Sequence, residues 1–234
     1  MQILIAIGVL LLGYIIGSIP FGLLIVKFKT GQDIRLVESG RTGGTNAMRA
    51  AGLGAGLLTA IMDILKGASA AWLAQAIAPG ANLLHALAPI AAIIGHNYSI
   101  FLPERNEQGK IVKFRGGAGG APSVGGAFGL WGLSILIIFP LGALFFFTVG
   151  IASITTMSVA LFAIIIFTVR AWLGYGPWAY VLYGVLAELL LIWALRPNLK
   201  KLFAGKERIV RQSLHGWIRA KRENQEPHTG NNVA

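Results

Sequence analysis

The chain has no cysteine, so it forms no disulfide, offers no thiolate to a metal and carries no cysteine nucleophile. Acidic residues are scarce: nine Asp and Glu in 234 residues, none clustered with histidine at ligand spacing, so no metal site and no cofactor is expected. The Gly-Lys-Ser/Thr ending of a nucleotide-binding P-loop is missing. A net charge of +11 does not mark a nucleic-acid binder, because the basic residues sit in short segments beside apolar runs and not on a face interleaved with aromatics. No repeat of 20–50 residues marks a solenoid.

Apolar residues make up 55% of the chain, charged residues 12%, and the mean hydropathy is +0.69. No water-soluble fold of this size hides so much apolar surface, which implies lipid as the solvent. About twenty apolar residues cross roughly 30 Å of hydrocarbon. Such runs fall near 3–26, 52–78, 83–100 and 177–195, with an almost uncharged stretch at 118–169. The first run is too long for the core of a secretory signal and is expected to be a retained helix.

The loops set the topology. Lys27, Lys29, Arg35, Arg41 and Arg49 lie in one; Arg105, Lys110, Lys113 and Arg115 in another; nine further Lys and Arg follow from Arg196. The positive-inside rule puts all three in the cytoplasm. Residues 118–169 must then cross an odd number of times, and three short crossings fit, with boundaries in the Gly132 region, where Ser134 and Pro140 are further irregularities, and at the turn Gly150–Ser153. The expectation is an all-α, polytopic membrane protein of about seven transmembrane helices, N-terminus outside and C-terminus cytoplasmic. Residues 1–205 form one embedded domain and 206–234 a basic tail, disordered from Glu223. Within that tail, Ile209–Ile218 is either solvated or lies on the membrane with Val210, Leu214, Trp217 and Ile218 towards lipid.

Two loops have the composition of anion cradles. Glu38-Ser39-Gly40-Arg41-Thr42-Gly43-Gly44-Thr45-Asn46-Ala47-Met48-Arg49 combines glycines with hydroxyls, an amide and two guanidinium groups. Phe114-Arg115-Gly116-Gly117-Ala118-Gly119-Gly120 leads into a helix N-terminus, where backbone N–H groups and the dipole favour an anion. Ordinary topology-holding loops and close helix packing are the competing readings. Asp63 and Lys66 are three residues apart on one helix face, so each neutralises the other, either as a site or as a structural couple. His96 stands where a crossing meets the cytoplasmic face, as base or as a satisfied interfacial residue. His85 has no assigned role, and Glu188 lacks a sequence-near partner.

These segments resemble the bacterial acyl-phosphate:glycerol-3-phosphate acyltransferases, the PlsY family, over roughly residues 10–210. The resemblance rests on Gly17-Ser18-Ile19-Pro20-Phe21-Gly22; on Asp33-Ile34-Arg35 with Ser39-Gly40, Gly43-Gly44-Thr45-Asn46 and Arg49; and on Asp63-Ile64-Leu65-Lys66-Gly67. Gly95-His96, Gly116-Gly117 with Gly119, and Asn198, Gly205 and Glu207 complete it. It implies a seven-helix enzyme of the bacterial inner membrane, with its site facing the cytoplasm, that moves an acyl chain from acyl phosphate to glycerol 3-phosphate and yields lysophosphatidate for phospholipid biosynthesis. Membrane lipid is its surroundings, and a soluble enzyme that forms the acyl phosphate is an implied partner. It implies Ser39, Arg49 and His96 as catalytic residues. Substrate and phosphate fall to Gly40, Arg41, Gly43, Gly44, Thr45, Asn46, Lys66, Arg115, Gly116, Gly117, Gly119 and Asn198.

The chain departs from the family pattern at four places. Ala118 stands where the glycine loop has its second lysine and Arg115 where it has the first; Arg41 replaces an asparagine. Phe147 to Gly150 lacks the Arg-Tyr-x-Ser of a third signature, and Leu195 replaces a histidine. Two readings follow: an acyltransferase in which Arg41 supplies the missing charge, or a catalytically impaired homologue that binds a phosphorylated lipid or partners an active paralogue. A small transporter would show inverted repeats, which are not apparent.

Overall fold

The computed structural model describes residues 2–207, 209–210 and 213–223, and it is mostly helical. The expectation of disorder begins at Glu223; Glu223 ends the last helix, and residues 224–234 lie outside the described residues. The elements are α1 (Gln2–Ser18), α2 (Phe21–Thr30), α3 (Gly44–Ala51), α4 (Leu53–Ile77), α5 (Asn82–Asn97), β1 (Pro103–Arg105), β2 (Ile111–Phe114), α6 (Gly120–Leu130), α7 (Ile135–Thr148), α8 (Ala152–Trp172), α9 (Ala179–Phe203) and α10 (Leu214–Glu223).

Among the described residues, four segments are long and apolar enough to cross a membrane: Gln2–Thr30, Leu53–Ile77, Ala152–Trp172 and Ala179–Phe203. The helices α5, α6 and α7 are shorter, at 16, 11 and 14 residues. At 1.5 Å per residue the 11 residues of α6 fall well short of a bilayer. The stretch 118–169 therefore holds three helices, one of which spans by length. Outward side chains are large and apolar where a soluble protein would be polar, as at Leu4, Leu57, Leu136, Trp172 and Leu189.

Small residues set the interior. Without a hydrophobic drive between helices in lipid, close backbone contact does the packing. A Cβ on Gly67 would lie 2.2 Å from the Pro122 carbonyl oxygen, and one on Gly125 1.9 Å from that of Ile64, so α4 and α6 meet backbone to backbone. The main core gathers Ile90, Ile93, Ala127, Ile138, Phe167, Tyr183 and Leu191 from α5 to α9. Within it the Tyr183 hydroxyl donates to the Ser123 carbonyl at 2.5 Å.

Several details differ from the expectation. The first apolar run is two helices, broken at Ile19–Pro20, because proline cannot donate to the helix ladder. Pro140 does not end a helix; it lies inside α7. The last helix continues through Pro197 to Phe203, eight residues past the expected end, and so carries Asn198 and Lys201. The fold is not purely helical: β1 and β2 form an antiparallel hairpin within the basic loop that carries Arg105, Lys110, Lys113 and Arg115. Ile111-Val112-Lys113-Phe114 has the β-branched and aromatic character that a strand favours.

Beyond Gly205 the chain is packed and not merely solvated. Ile209 bridges to Ile151, and the Val210 N–H donates to the Gly150 carbonyl at 2.7 Å. Gly150 has φ +70, and a Cβ there would sit 1.9 Å from Ser213 Oγ, so only glycine lets this strap close. Val210, which would face solvent in one reading and lipid in the other, is buried under that contact, whereas Leu214, Trp217 and Ile218 on α10 are exposed. The strap ties the α7–α8 turn to the end of α9.

Candidate active site

Asn46 organises the first cradle. Its Nδ2 donates to the carbonyls of Ile34 (3.2 Å), Val37 (3.0 Å) and Arg41 (2.8 Å), drawing the loop around the start of α3. Asp33 accepts from the Arg35 backbone N–H and from its guanidinium, and that contact holds the Asp33 carboxyl below the ordinary carboxylate range. Two turns of polar chain are thereby fixed at one end of the bundle, facing the ends of α5 and α9.

Behind this loop lies a cavity of about 660 Å³, within the range of small-ligand sites. Its mouth is lined by Ser39, Arg41, Gly43, Gly44, Thr45, Asn46 and Arg49, by His96 from α5, by Ala118 and Gly119, and by Asn198 and Lys201 from α9. From the mouth the same volume runs between α4, α7 and α8 past Leu57, Ile138, Phe139, Phe146 and Phe147. One end gathers Arg41, Arg49, Lys201 and Lys206, with Glu38 and Glu207 in the same wall, and the other is apolar.

Arg41 lies in this wall and donates to the Ala194 carbonyl at 2.7 Å. Burial pulls its guanidinium below the ordinary value, and the Glu207 carboxylate acts in the opposite sense. Asn198 Nδ2 donates to Glu207 Oε1 at 2.8 Å, which pins the chain after Gly205 against α9 and sets Lys206 and Glu207 in the cavity wall. Asn46 Oδ1 and Ser153 Oγ, both buried on residues that line the cavity, have no partner among the described residues. Buried polar atoms without partners are uncommon, and in a cavity wall they are ready to meet a ligand.

Deeper lies an ionic group. Lys66 Nζ sits 2.7 Å from Asp63 Oδ1, and His96 Nδ1 is 3.5 Å from the same oxygen. Lys66 also donates to the Ile19 carbonyl at 3.0 Å, at the α1–α2 break. Asp63 and His96 reach the cavity; Lys66 does not, and its charge is consumed by Asp63 and the backbone. Gly117 lies against the His96 ring, where a Cβ would come within 1.9 Å of Nε2, and its N–H donates to the His96 carbonyl at 2.9 Å. The imidazole is thus wedged between Asp63 and the second glycine loop.

The structure brings Ser39, Arg41, Gly43, Gly44, Thr45, Asn46, Arg49, His96, Gly119 and Asn198 to one cavity. It sets Gly40, Arg115, Gly116 and Gly117 on a neighbouring recess that shares Ser39 and Arg41. Arg115 is held there by Glu104, with Nε–Oε2 at 2.8 Å and Nη2–Oε1 at 3.0 Å. Asn46, expected to touch phosphate, spends its NH2 on loop carbonyls. Lys201, Lys206 and Ser153 were not singled out from the sequence. Lys201 was within reach, lying one helical turn from Asn198; Lys206 was not, because the strap that positions it is tertiary. Leu195 lines the cavity where the family has histidine, and Phe147 lines its apolar part. His85 is satisfied by the Ala78 carbonyl at 2.8 Å, and Glu188 Oε2 lacks a partner among the described residues and lines neither hollow. No group of three His, Cys, Asp or Glu suited to a metal occurs among the described residues.

A helical bundle with four segments long and apolar enough to cross a membrane among the described residues, enclosing a cavity with a glycine-lined mouth and an apolar limb, defines the class: an integral membrane protein. Residues 7–205 match the family described as "Glycerol-3-phosphate acyltransferase", and the chain belongs to that family. It is 36% identical over 201 residues to "Glycerol-3-phosphate acyltransferase 2" of Moorella thermoacetica, covering 85% of this chain and 94% of the relative. It is 39% identical over 217 residues to "Glycerol-3-phosphate acyltransferase 3" of Dehalococcoides mccartyi, covering 86% and 93%. Among solved structures it is similar to the glycerol 3-phosphate form of "PlsY (YgiH), an integral membrane glycerol 3-phosphate acyltransferase". That likeness has a TM-score of 0.73 and 28% identity, and covers 87% of this chain and 94% of that one. The lysophosphatidic acid form matches with a TM-score of 0.70.

Proposed function

We propose that the protein transfers an acyl chain from acyl phosphate to the 1-hydroxyl of glycerol 3-phosphate. The observation that carries this reading is the continuity of the cavity: one volume joins a mouth lined by Arg41, Arg49, Lys201 and Lys206 to a limb of phenylalanines. A phosphate fits the first and an acyl chain the second, so the mixed anhydride lies at the junction.

In the reaction the hydroxyl oxygen of glycerol 3-phosphate forms a bond to the acyl carbonyl carbon, and the carbon–oxygen bond to phosphate breaks. The hydroxyl proton leaves with the departing phosphate, giving lysophosphatidate and inorganic phosphate. Because phosphate leaves readily, the protein's work is to hold two anions together in reacting geometry. Arg49 and Ser39 orient phosphate, Arg41 and Lys206 balance its charge, Asn46 keeps the loop closed, and Asn198 and His96 position substrate. Donors aimed at the developing charge supply the electrostatic part. No cofactor is called for.

The chain is placed in the bacterial inner membrane with this mouth facing the cytoplasm, as the basic loops favour, and with seven helices in which α5, α6 and α7 cross where the bilayer is thinned. A soluble enzyme that makes acyl phosphate supplies the donor. Ala118 in the mouth, where the family carries lysine, favours the second reading of an impaired homologue; Arg41, Lys201 and Lys206 in the same wall favour activity. The test is lysophosphatidate formation by purified protein from glycerol 3-phosphate with palmitoyl phosphate or palmitoyl-CoA. Product from acyl phosphate alone supports the proposal, and no product from folded protein with either donor rejects it.

A further inference from the structure

The residues that match the family end at 205, and the chain beyond them closes with the helix α10. Its start is fixed to the bundle. Ser213, fully buried, caps it: Oγ accepts from the Gly216 N–H at 3.0 Å, and Gly216 is buried with it. The His215 ring meets the Val149 carbonyl at 3.3 Å, just past the end of α7. The face away from Gly216 carries Leu214, Trp217 and Ile218, spaced i, i+3 and i+4 and exposed by 54%, 60% and 38%. Lys221, one turn on, lies 5.4 Å from the Trp217 ring, so the apolar stripe ends in a cation.

The surroundings and the charge say what covers this stripe. α10 packs against α7, whose Leu136 and Leu144 are exposed without lining the cavity and so face lipid. The bilayer is therefore next to the helix. Residues 206–223 carry six Lys and Arg against two Glu, a charge complementary to an anionic headgroup layer. A tryptophan beside a lysine suits that layer, where the ring stays at the boundary and the ammonium reaches the headgroups. A soluble protein partner fits less well, because three apolar side chains on a helix of 10 residues fall far short of the roughly 800 Å² per partner that a stable interface buries.

We infer that α10 is an interfacial anchor for an anionic lipid surface. Leu214, Trp217 and Ile218 enter the boundary of the bilayer that holds the bundle, and the positive charge of residues 206–223 meets negatively charged headgroups. Docking fixes the far end of the strap whose near end sets Lys206 in the cavity wall. The inference needs a membrane-embedded chain and does not depend on the acyl-donor reading.

The chain lacks cysteine, so an introduced cysteine takes a single label. Leu214→Cys, Ile218→Cys and, as a solvent control, Glu107→Cys in the exposed turn between β1 and β2 are each labelled with the fluorophore NBD in the full-length protein. The labelled proteins are placed in nanodiscs of phosphatidylcholine with or without phosphatidylglycerol. Emission wavelength is followed, with quenching by doxyl groups high on the lipid chain and by aqueous iodide. The expected result is blue-shifted emission at positions 214 and 218, quenched more by doxyl lipid than by iodide, with a larger docked fraction in the anionic discs. The label at position 107 should respond to iodide alone. Lys221→Gln should lower the docked-to-free ratio about fivefold in anionic discs and little in neutral ones, the scale of one cation near a charged surface. Three outcomes would each overturn the inference: iodide quenching at 214 and 218 as strong as at 107 in both discs; shielding from both quenchers, as a protein contact gives; or a docked fraction indifferent to phosphatidylglycerol and to Lys221→Gln.

Discussion

The two glycine-rich loops have similar composition and opposite fates. Residues 38–49 turn Ser39, Thr45 and Arg49 into the main cavity, whereas residues 115–117 face the outer recess and the cavity takes the following Ala118, Gly119 and Gly120. Their braces make the difference. Asn46 gathers the carbonyls of Ile34, Val37 and Arg41 around the start of α3, and Glu104, from the hairpin, holds Arg115 outward. Glycine content lets a backbone approach a ligand; the neighbouring side chains decide on which side it does so.

That contrast can be broken at several points. The largest effect is expected at Arg49: Arg49→Ala should lower kcat/KM by about 10²–10³, as loss of an aimed donor does, read as lysophosphatidate formed by protein with unchanged melting. Next comes the brace. Asn46→Ala leaves loop carbonyls unpaired and should destabilise the loop by about 1–3 kcal/mol, with a raised KM for glycerol 3-phosphate and faster hydrogen exchange over residues 34–42. Lys206→Ala should reduce kcat/KM by about tenfold, the scale of one charged contact, and Lys206→Arg should restore most of it. Arg115→Gln, in the outward loop, should cost less than any of these in the same assay.

The smallest expected effect is one of pH. Glu104 is held down to about 2, well below the usual 4.5, by Arg115 and then Lys113. A carboxyl depressed on folding stabilises above its unfolded value and loses that contribution as pH falls through its folded value. The hairpin should therefore stay docked at pH 5 and loosen between pH 4.5 and pH 2. Hydrogen exchange at Ile111–Phe114 reads this, and Glu104→Gln should show the looser state throughout.

Much of this was legible because lipid imposes long apolar runs. The bounds of α4, α5 and α8 follow from run length and small-residue breaks, and the residues of the first loop announce an anion site by type. Other features leave weaker traces. The helical turns after Pro197 lie beyond the apolar run, so α9 reads as ending early. The break at Ile19–Pro20 hides inside uniform hydropathy. Lys206 becomes part of the site only through the Asn198–Glu207 bond and the strap on Gly150. Lys66 reads as a phosphate ligand by motif, but its buried pairing with Asp63 keeps it from the cavity.

The account rests on phosphate and acyl chain sharing one cavity. The most direct measurement uses a non-hydrolysable palmitoyl phosphonate with a photoreactive group near the chain end, cross-linked to the purified protein and mapped by mass spectrometry. Labelling of Phe139, Phe146 or Phe147 that excess palmitoyl phosphate suppresses and that Arg49→Ala diminishes is the predicted result. Labelling confined to residues that do not line the cavity, such as Leu136 or Leu189, and insensitive to Arg49, would contradict it.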